Sequence, residues 1–191
     1  MNLLTNIILT IINYGLYAIL FIFMLRILFQ LFKTNSNNQV AVMVANVTNV
    51  MVIPLRQYLP RTRYIDLSTL TCWLFFDILK YTILVYFTAK SGSGFLSIIE
   101  YIKIVPADFI MQALSIIIYS TLFYTILLFV APGLKSMGMD TLKALSEPAL
   151  IQARKIISPA GGFDFAPAII MLGSKCIQLS IMQFIPASYF Y

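Results

Sequence analysis

The sequence predicts an all-α integral membrane protein with four transmembrane helices, arranged as two tandem parallel repeats of span, interfacial amphipathic helix and span. Three observations lead there. The 191 residues are 60% hydrophobic and 10% charged, with a mean hydropathy of +0.90, which is more apolar surface than a soluble domain of this length buries. Four apolar stretches reach the ~20 residues that a helix needs to cross a hydrocarbon core. One pattern also occurs twice, an Arg followed ten positions later by an Asp that opens an apolar run. It reads RQYLPRTRYIDLS from Arg56 to Ser68 and RKIISPAGGFDFAP from Arg154 to Pro167, so that Arg56 and Arg154, like Asp66 and Asp164, stand 98 residues apart. Repetition at a fixed offset implies one structural unit built twice.

Repeat one is assigned to residues 1–91 and repeat two to 92–191. The first span, at about 7–32, lacks a basic leader and a small-x-small cleavage site, so it reads as a retained span rather than a signal peptide. An interfacial helix follows at about 39–59. Its valine-rich run from Val40 to Leu55 is broken by Asn46, Thr48 and Asn49, and its shortness and Pro54 argue against a crossing. Lying in the interface and re-entering the membrane both fit it. The second span is expected at about 67–88, and Ser91–Gly94 reads as a flexible outer loop. The third span is placed at about 105–130. In the second interfacial helix, at about 139–157, Leu142, Leu145, Ala149, Leu150 and Ile156 recur among Asp140, Lys143, Ser146, Glu147, Arg154 and Lys155, as an amphipathic helix requires. Ser146, Glu147 and Pro148 resemble a helix start, because Ser caps free N–H groups and Pro fits a first turn. The fourth span is expected at about 165–186. Tyr189, Phe190 and Tyr191 then suit an aromatic anchor at the outer interface.

The net charge of +6 sets orientation. Lys33, Arg56, Arg61 and Arg63 lie in the first loop, and Lys135, Lys143, Arg154 and Lys155 in the third, whereas the middle loop has only Lys90 and Lys103 against Glu100. Basic loops stay cytoplasmic, which puts both termini outside. No basic run with interleaved aromatics is present, which argues against nucleic acid as a partner. The absence of histidine excludes His-ligated metal or haem and a His general base. No phosphate-cradling loop, dinucleotide fingerprint or paired-Cys motif occurs, so neither catalysis nor a cofactor is expected. Cys72 and Cys176 lie in apolar segments at non-equivalent positions and read as small packed side chains rather than a disulfide.

Two groups of residues stand out. Asp66 and Asp164 open spans two and four, where a carboxylate can cap N–H groups that lack intrahelical partners. Gly161 and Gly162 supply the tight turn before Asp164. Arg56 and Arg154 are placed to reach that Asp or a lipid phosphate. A clasp between interfacial helix and span, or alternatively a ligand or ion site, follows. If it is a clasp, swapping the charges of a pair should restore the folding that single mutants lose. The second group is the intramembrane charges Arg26, Asp77, Lys80, Asp108 and Lys175, which are costly in lipid and face protein or a polar cavity. The 98-residue offset sets Asp77 against Lys175 at one depth and predicts a buried Asp77–Lys175 pair between spans two and four. Lys80 is the alternative partner, for Asp77 in its own helix or for Asp108. Interhelical glue and an ion or proton path both fit this group.

In repeat one the motif residues are Tyr17, Arg26, Asn35 to Asn38, Thr48, Pro54, Arg56, Pro60, Asp66 and Ser68. In repeat two they are Ser146, Glu147, Pro148, Arg154, Pro159, Gly161, Gly162, Asp164 and Pro167. Over nearly the whole chain this resembles the YggT family of small bacterial inner-membrane proteins. The sequence departs from the pattern at Tyr124, which stands where repeat one has Arg26, at Gln152, which stands for Pro54, and at Tyr64, which replaces a glycine. The resemblance implies a multi-pass bacterial inner-membrane protein, with relatives in Gram-positive bacteria and plastids. The family has been connected with osmotic and ion homeostasis, division or cofactor assembly. Two classes of function follow. One is a non-enzymatic scaffold or assembly factor that presents basic interfacial helices to partners and anionic lipid. The other is a small oligomeric channel or transporter subunit lined by Arg26 and the Asp77/Lys175 layer. The partners expected are the bilayer and either a second membrane protein or further copies of this chain.

Overall fold

A computed structural model describes residues 3–34, 38–59, 65–88, 96–133, 136–157 and 164–184. Among the residues singled out above, Asn35, Pro60, Arg61, Arg63, Tyr64, Lys90, Ser91–Gly94, Lys135, Pro159, Gly161, Gly162 and the terminal Tyr189, Phe190 and Tyr191 lie outside them. The described chain forms six helices: α1 (Leu3–Leu31), α2 (Gln39–Leu55), α3 (Leu67–Thr88), α4 (Ile98–Val130), α5 (Met137–Ile156) and α6 (Ala166–Phe184). Long apolar α1, α3 and α4 each have the length and composition to cross a bilayer, which makes this a helical membrane protein. Helix α6 has 19 residues and is interrupted by Lys175, Gln178 and Gln183, and it is not among those three.

Local chemistry explains the ends. Helix α1 stops in a Schellman turn in which Lys33 takes a positive φ of 50°. There the Thr34 N–H donates to Phe29 O at 3.0 Å and the Lys33 N–H to Gln30 O at 3.2 Å, satisfying carbonyls the helix leaves open. Asn38 caps α2 by accepting from the Ala41 N–H, and Ser136 caps α5 by accepting from the Met139 N–H. The two caps are themselves 98 residues apart.

Two helix starts differ from expectation. Helix α4 begins at Ile98 rather than near 105, because Ser97 and Glu100 form a capping box that secures an extra two turns. Helix α5 begins at Met137, so Ser146 is not a helix start. It is buried in mid-helix, and its hydroxyl donates to Leu142 O at 2.7 Å. Ser136 provides the cap upstream, and Pro148 is carried inside the helix. The amphipathic face extends back to buried Met139, and burying it offsets the hydrogen bond that Pro148 cannot donate.

Helix α1 packs along α3 and α4 along α6, while α2 lies across α1 and α3, and α5 across α4 and α6. Contacts of α4 with α1 and α3, and of α5 with α1 and α2, join the halves. The main core gathers Leu20, Phe23, Met24 and Ile27 of α1, Val44 and Val52 of α2, Trp73 and Phe76 of α3, and Ile116 of α4. Trp73 fixes the α3–α4 crossing, with its ring edge-on to Phe109 at 4.9 Å and its indole N–H donating to Gln112 Oε1 at 2.8 Å.

Candidate functional site

Helices α2 and α5 are each clasped to the helix that follows. Arg56 donates through Nε and Nη2 to Asp66 Oδ2 at 2.8 and 2.5 Å. Arg154 does the same to Asp164 Oδ2 at 2.9 and 2.6 Å. The other oxygen caps the next helix, with Asp66 Oδ1 accepting from the Ser68 N–H at 3.2 Å and Asp164 Oδ1 from the Ala166 N–H at 3.0 Å. One carboxylate therefore ends one helix packing problem and starts the next. The two clasps differ in burial. The Asp66 side chain is 2% exposed and the Asp164 side chain 30%. In the first clasp Gln30 Oε1 also accepts from the Asp66 N–H at 3.0 Å. The second has Leu128 at the corresponding place and a cavity of about 180 Å³ lined by Tyr124, Leu128, Leu150, Arg154 and Asp164. Partial burial alone would raise the Asp164 carboxyl. The hydrogen bonds from Arg154 and the Ala166 N–H, with the guanidinium charge, outweigh that and hold it below the usual carboxylate range.

Arg26 faces protein. It is 5% exposed and donates to Ala45 O and Asn49 Oδ1, each at 3.0 Å, and to Thr48 Oγ1. It is thus a third fastening, of α2 onto α1. Thr48 and Ser146 are both buried and bond back one turn, to Val44 O and Leu142 O. Tyr124 replaces the arginine in the second half.

The remaining intramembrane charges assemble differently from the predicted pair. Asp77 does not pair with Lys175. Lys80 Nζ lies 2.9 Å from Asp77 Oδ1 and also contacts Asp108 Oδ2 across the α3–α4 interface. Its ammonium sits over the Tyr81 ring at 4.1 Å and the Tyr17 ring at 4.6 Å. Lys175 is exposed. The reason is rotational: a constant offset fixes depth but not the buried face of each helix. On α6 the inward stripe is Ala166, Ile170, Ser174 and Gln178, one position before or three past Lys175. Gln178 holds α6 to α4, donating to Met111 O at 3.0 Å and Ser115 Oγ at 2.9 Å. Cys72 is buried, Cys176 is exposed, and both are free thiols.

Sequence reasoning named Asn38 in the motif but missed its capping role, and it missed Gln30, the Trp73–Gln112 bond and the Gln178 fastening. The matched caps Asn38 and Ser136 were visible at the same offset. The polar side chains within spans had no charge to draw attention.

Comparison with known proteins agrees with this architecture at the level of family. The CCB3/YggT family model matches residues 5–87 and again residues 104–185. The chain is 24% identical over 164 residues to the uncharacterized protein PA0392 of Pseudomonas aeruginosa, covering 86% of this chain and 82% of that one. It is likewise 24% identical over 156 residues to an uncharacterized protein in the proC 3′ region of Vibrio alginolyticus, covering 78% and 79%. No solved structure matches.

Proposed function

Since the chain belongs to the CCB3/YggT family, we propose that it is a non-enzymatic membrane scaffold or assembly factor built from two tandem units, with α6 as a fourth crossing. In this reading the units are residues 1–91 and 92–191, and the protein sits in a bacterial inner membrane with both termini outside. The double family match, the caps Asn38 and Ser136, and the twin clasps support the tandem reading.

One observation carries the scaffold reading. Helix α2 is locked by Arg26 and Arg56 along its Val44–Thr48–Val52 edge, while Val42, Met43, Val47, Val50 and Met51 on the other side are exposed. Beside that face runs an apolar groove of about 440 Å³ between α2 and α3, lined by Val50, Met51, Phe75 and Phe76. A rigid helix with a contiguous apolar face is suited to lipid or a membrane-protein partner. Exposed Lys155, hydrogen-bonded to neutral Gln152, adds positive charge that favours anionic lipid. The channel reading lacks comparable support. Arg26 is consumed by α2, Lys175 faces outward, and the cavity touching Lys80 is about 20 Å³, room for about one water.

The test is purification from native expression levels in mild detergent, followed by mass spectrometry, for the wild type and a Val50→Lys, Met51→Lys variant. A stoichiometric foreign membrane protein that the variant loses supports the scaffold. A complex containing only copies of this chain overturns it, and ion flux in liposomes then becomes the decisive measurement.

A further inference from the structure

The buried cluster on α3 and α4 does not balance electrically. Asp77, Lys80 and Asp108 are 0%, 1% and 6% exposed, and they bring two carboxylates to one ammonium. Lys80 is the only cation among the described groups that touches either acid. The rings over the ammonium are Tyr17 from α1 and Tyr81 from α3 itself. Beside them, Tyr101 of α4 and Ile181 of α6 pack on the apolar group of Tyr81, Ile104 and Ala107, and the Tyr101 hydroxyl bonds Thr82 Oγ1 at 2.6 Å. None of these offers a second positive charge.

Hydrogen bonding shows where the imbalance lies. Lys80 contacts Asp108 most closely and hydrogen-bonds it. Asp77 Oδ1 meets the ammonium at 2.9 Å but off the line of a hydrogen bond, and Asp77 Oδ2 has no partner. The Tyr81 hydroxyl, equally buried, is also without one. An unpaired ionised carboxylate in such a place costs several kcal/mol. The missing charge is a proton or a metal cation. Ca²⁺ and Mg²⁺ take about six or more oxygens, and among the described residues no three His, Cys, Asp or Glu side chains gather to hold such an ion.

We propose that the Asp77–Lys80–Asp108 cluster is a proton-binding site, in which Asp77 carries one exchangeable proton and Lys80–Asp108 is the ionised pair. Protonated Asp77 becomes a donor, which gives its orphaned oxygen a hydrogen bond to make. Loss of the proton leaves a net negative charge wedged between α3 and α4, the crossing that joins the two halves. This assignment holds whether or not the protein is a scaffold.

The experiment is infrared spectroscopy of the protein in nanodiscs at neutral pH, with aspartate carboxyl carbons isotopically labelled, alongside proton counting on denaturation. The expected result is a protonated-carboxyl C=O band that shifts on labelling and disappears in Asp77→Asn. It should persist in Asp164→Asn and be indifferent to replacement of sodium and potassium by choline. Unfolding at neutral pH should release about one proton per molecule, since a free aspartate ionises near 3.9. That count needs no variant and stands even if Asp77→Asn fails to fold. Absence of the band together with no proton release overturns the proposal. A band that appears only when alkali cations are withdrawn assigns the site to a metal cation and overturns it equally.

Discussion

Lys80 and Gln178, 98 residues apart, occupy matching places on α3 and α6 and fasten each helix to α4 with different chemistry. Lys80 does so by an ion pair with Asp108, and Gln178 by amide hydrogen bonds to Met111 O and Ser115 Oγ. Their neighbours match too, since Tyr17 beneath Lys80 corresponds to Ser115 beside Gln178.

The two fastenings should fail by different amounts. Lys80→Met strands buried carboxylate and is expected to cost roughly 3–5 kcal/mol. Gln178→Leu removes neutral hydrogen bonds and should cost about 1–3 kcal/mol. Equilibrium unfolding in mixed micelles measures both, and equal losses would contradict the assignment.

The clasps should be similarly unequal. Arg56→Ala leaves the 2%-exposed Asp66 carboxylate without its cation, whereas Arg154→Ala leaves Asp164 with water access. The first substitution should destabilise by several-fold more than the second, whose worth is nearer the ~1 kcal/mol of a partly exposed pair. Swapping charges between Arg56 and Asp66 should rescue only part of the loss. The reason is that Asp66 Oδ1 also accepts from the Ser68 N–H, a cap that arginine cannot provide.

Acid should loosen the second clasp. Asp164 is held below its unfolded value of about 3.9. Its contribution is therefore fully present above that pH and is lost as pH falls through the lower folded value. Hydrogen-exchange protection at the start of α6, taken relative to the intrinsic rate, should fall on acidification below ~3.9 in the wild type. In Asp164→Asn that protection should be low already at neutral pH and show a flatter profile.

Arg26→Met should release α2 without unfolding the bundle. It deprives Thr48, Asn49 and Ala45 O of a buried charged donor, a loss of about 1.5–3 kcal/mol. Exchange protection should fall along α2 and stay unchanged in α4. Uniform loss across all helices would contradict a local role.

The helical membrane class and the two clasps were legible in the sequence because they depend on local signals, namely long apolar runs and a spacing of Arg to Asp repeated at one offset. The start of α4 was legible too, in the Ser97–Glu100 box, but apolar length alone does not report it. What sequence could not fix was rotation about each helix axis. Asp77 and Lys175 stand at the common 98-residue offset, yet the stripe that α6 buries runs through Ser174 and Gln178. A turn of about 100° per residue separates neighbours on a helix, so the lysine emerges outside. Only packing decides which of two adjacent positions faces in. Arg26 illustrates the same gap, since its partners Thr48 and Asn49 lie on another helix and carry no charge.

Helix α4 has 33 residues, ~50 Å at about 1.5 Å per residue, against a hydrocarbon core of ~30 Å. Its apolar part alone, from Ile104 to Val130, exceeds that core. Hydrophobic mismatch is therefore greatest at this helix, and α4 must lean, or hold its first turns proud of the bilayer. Because α1, α3, α5 and α6 all pack on it, a change in membrane thickness reaches each of them as a change in the lean of α4.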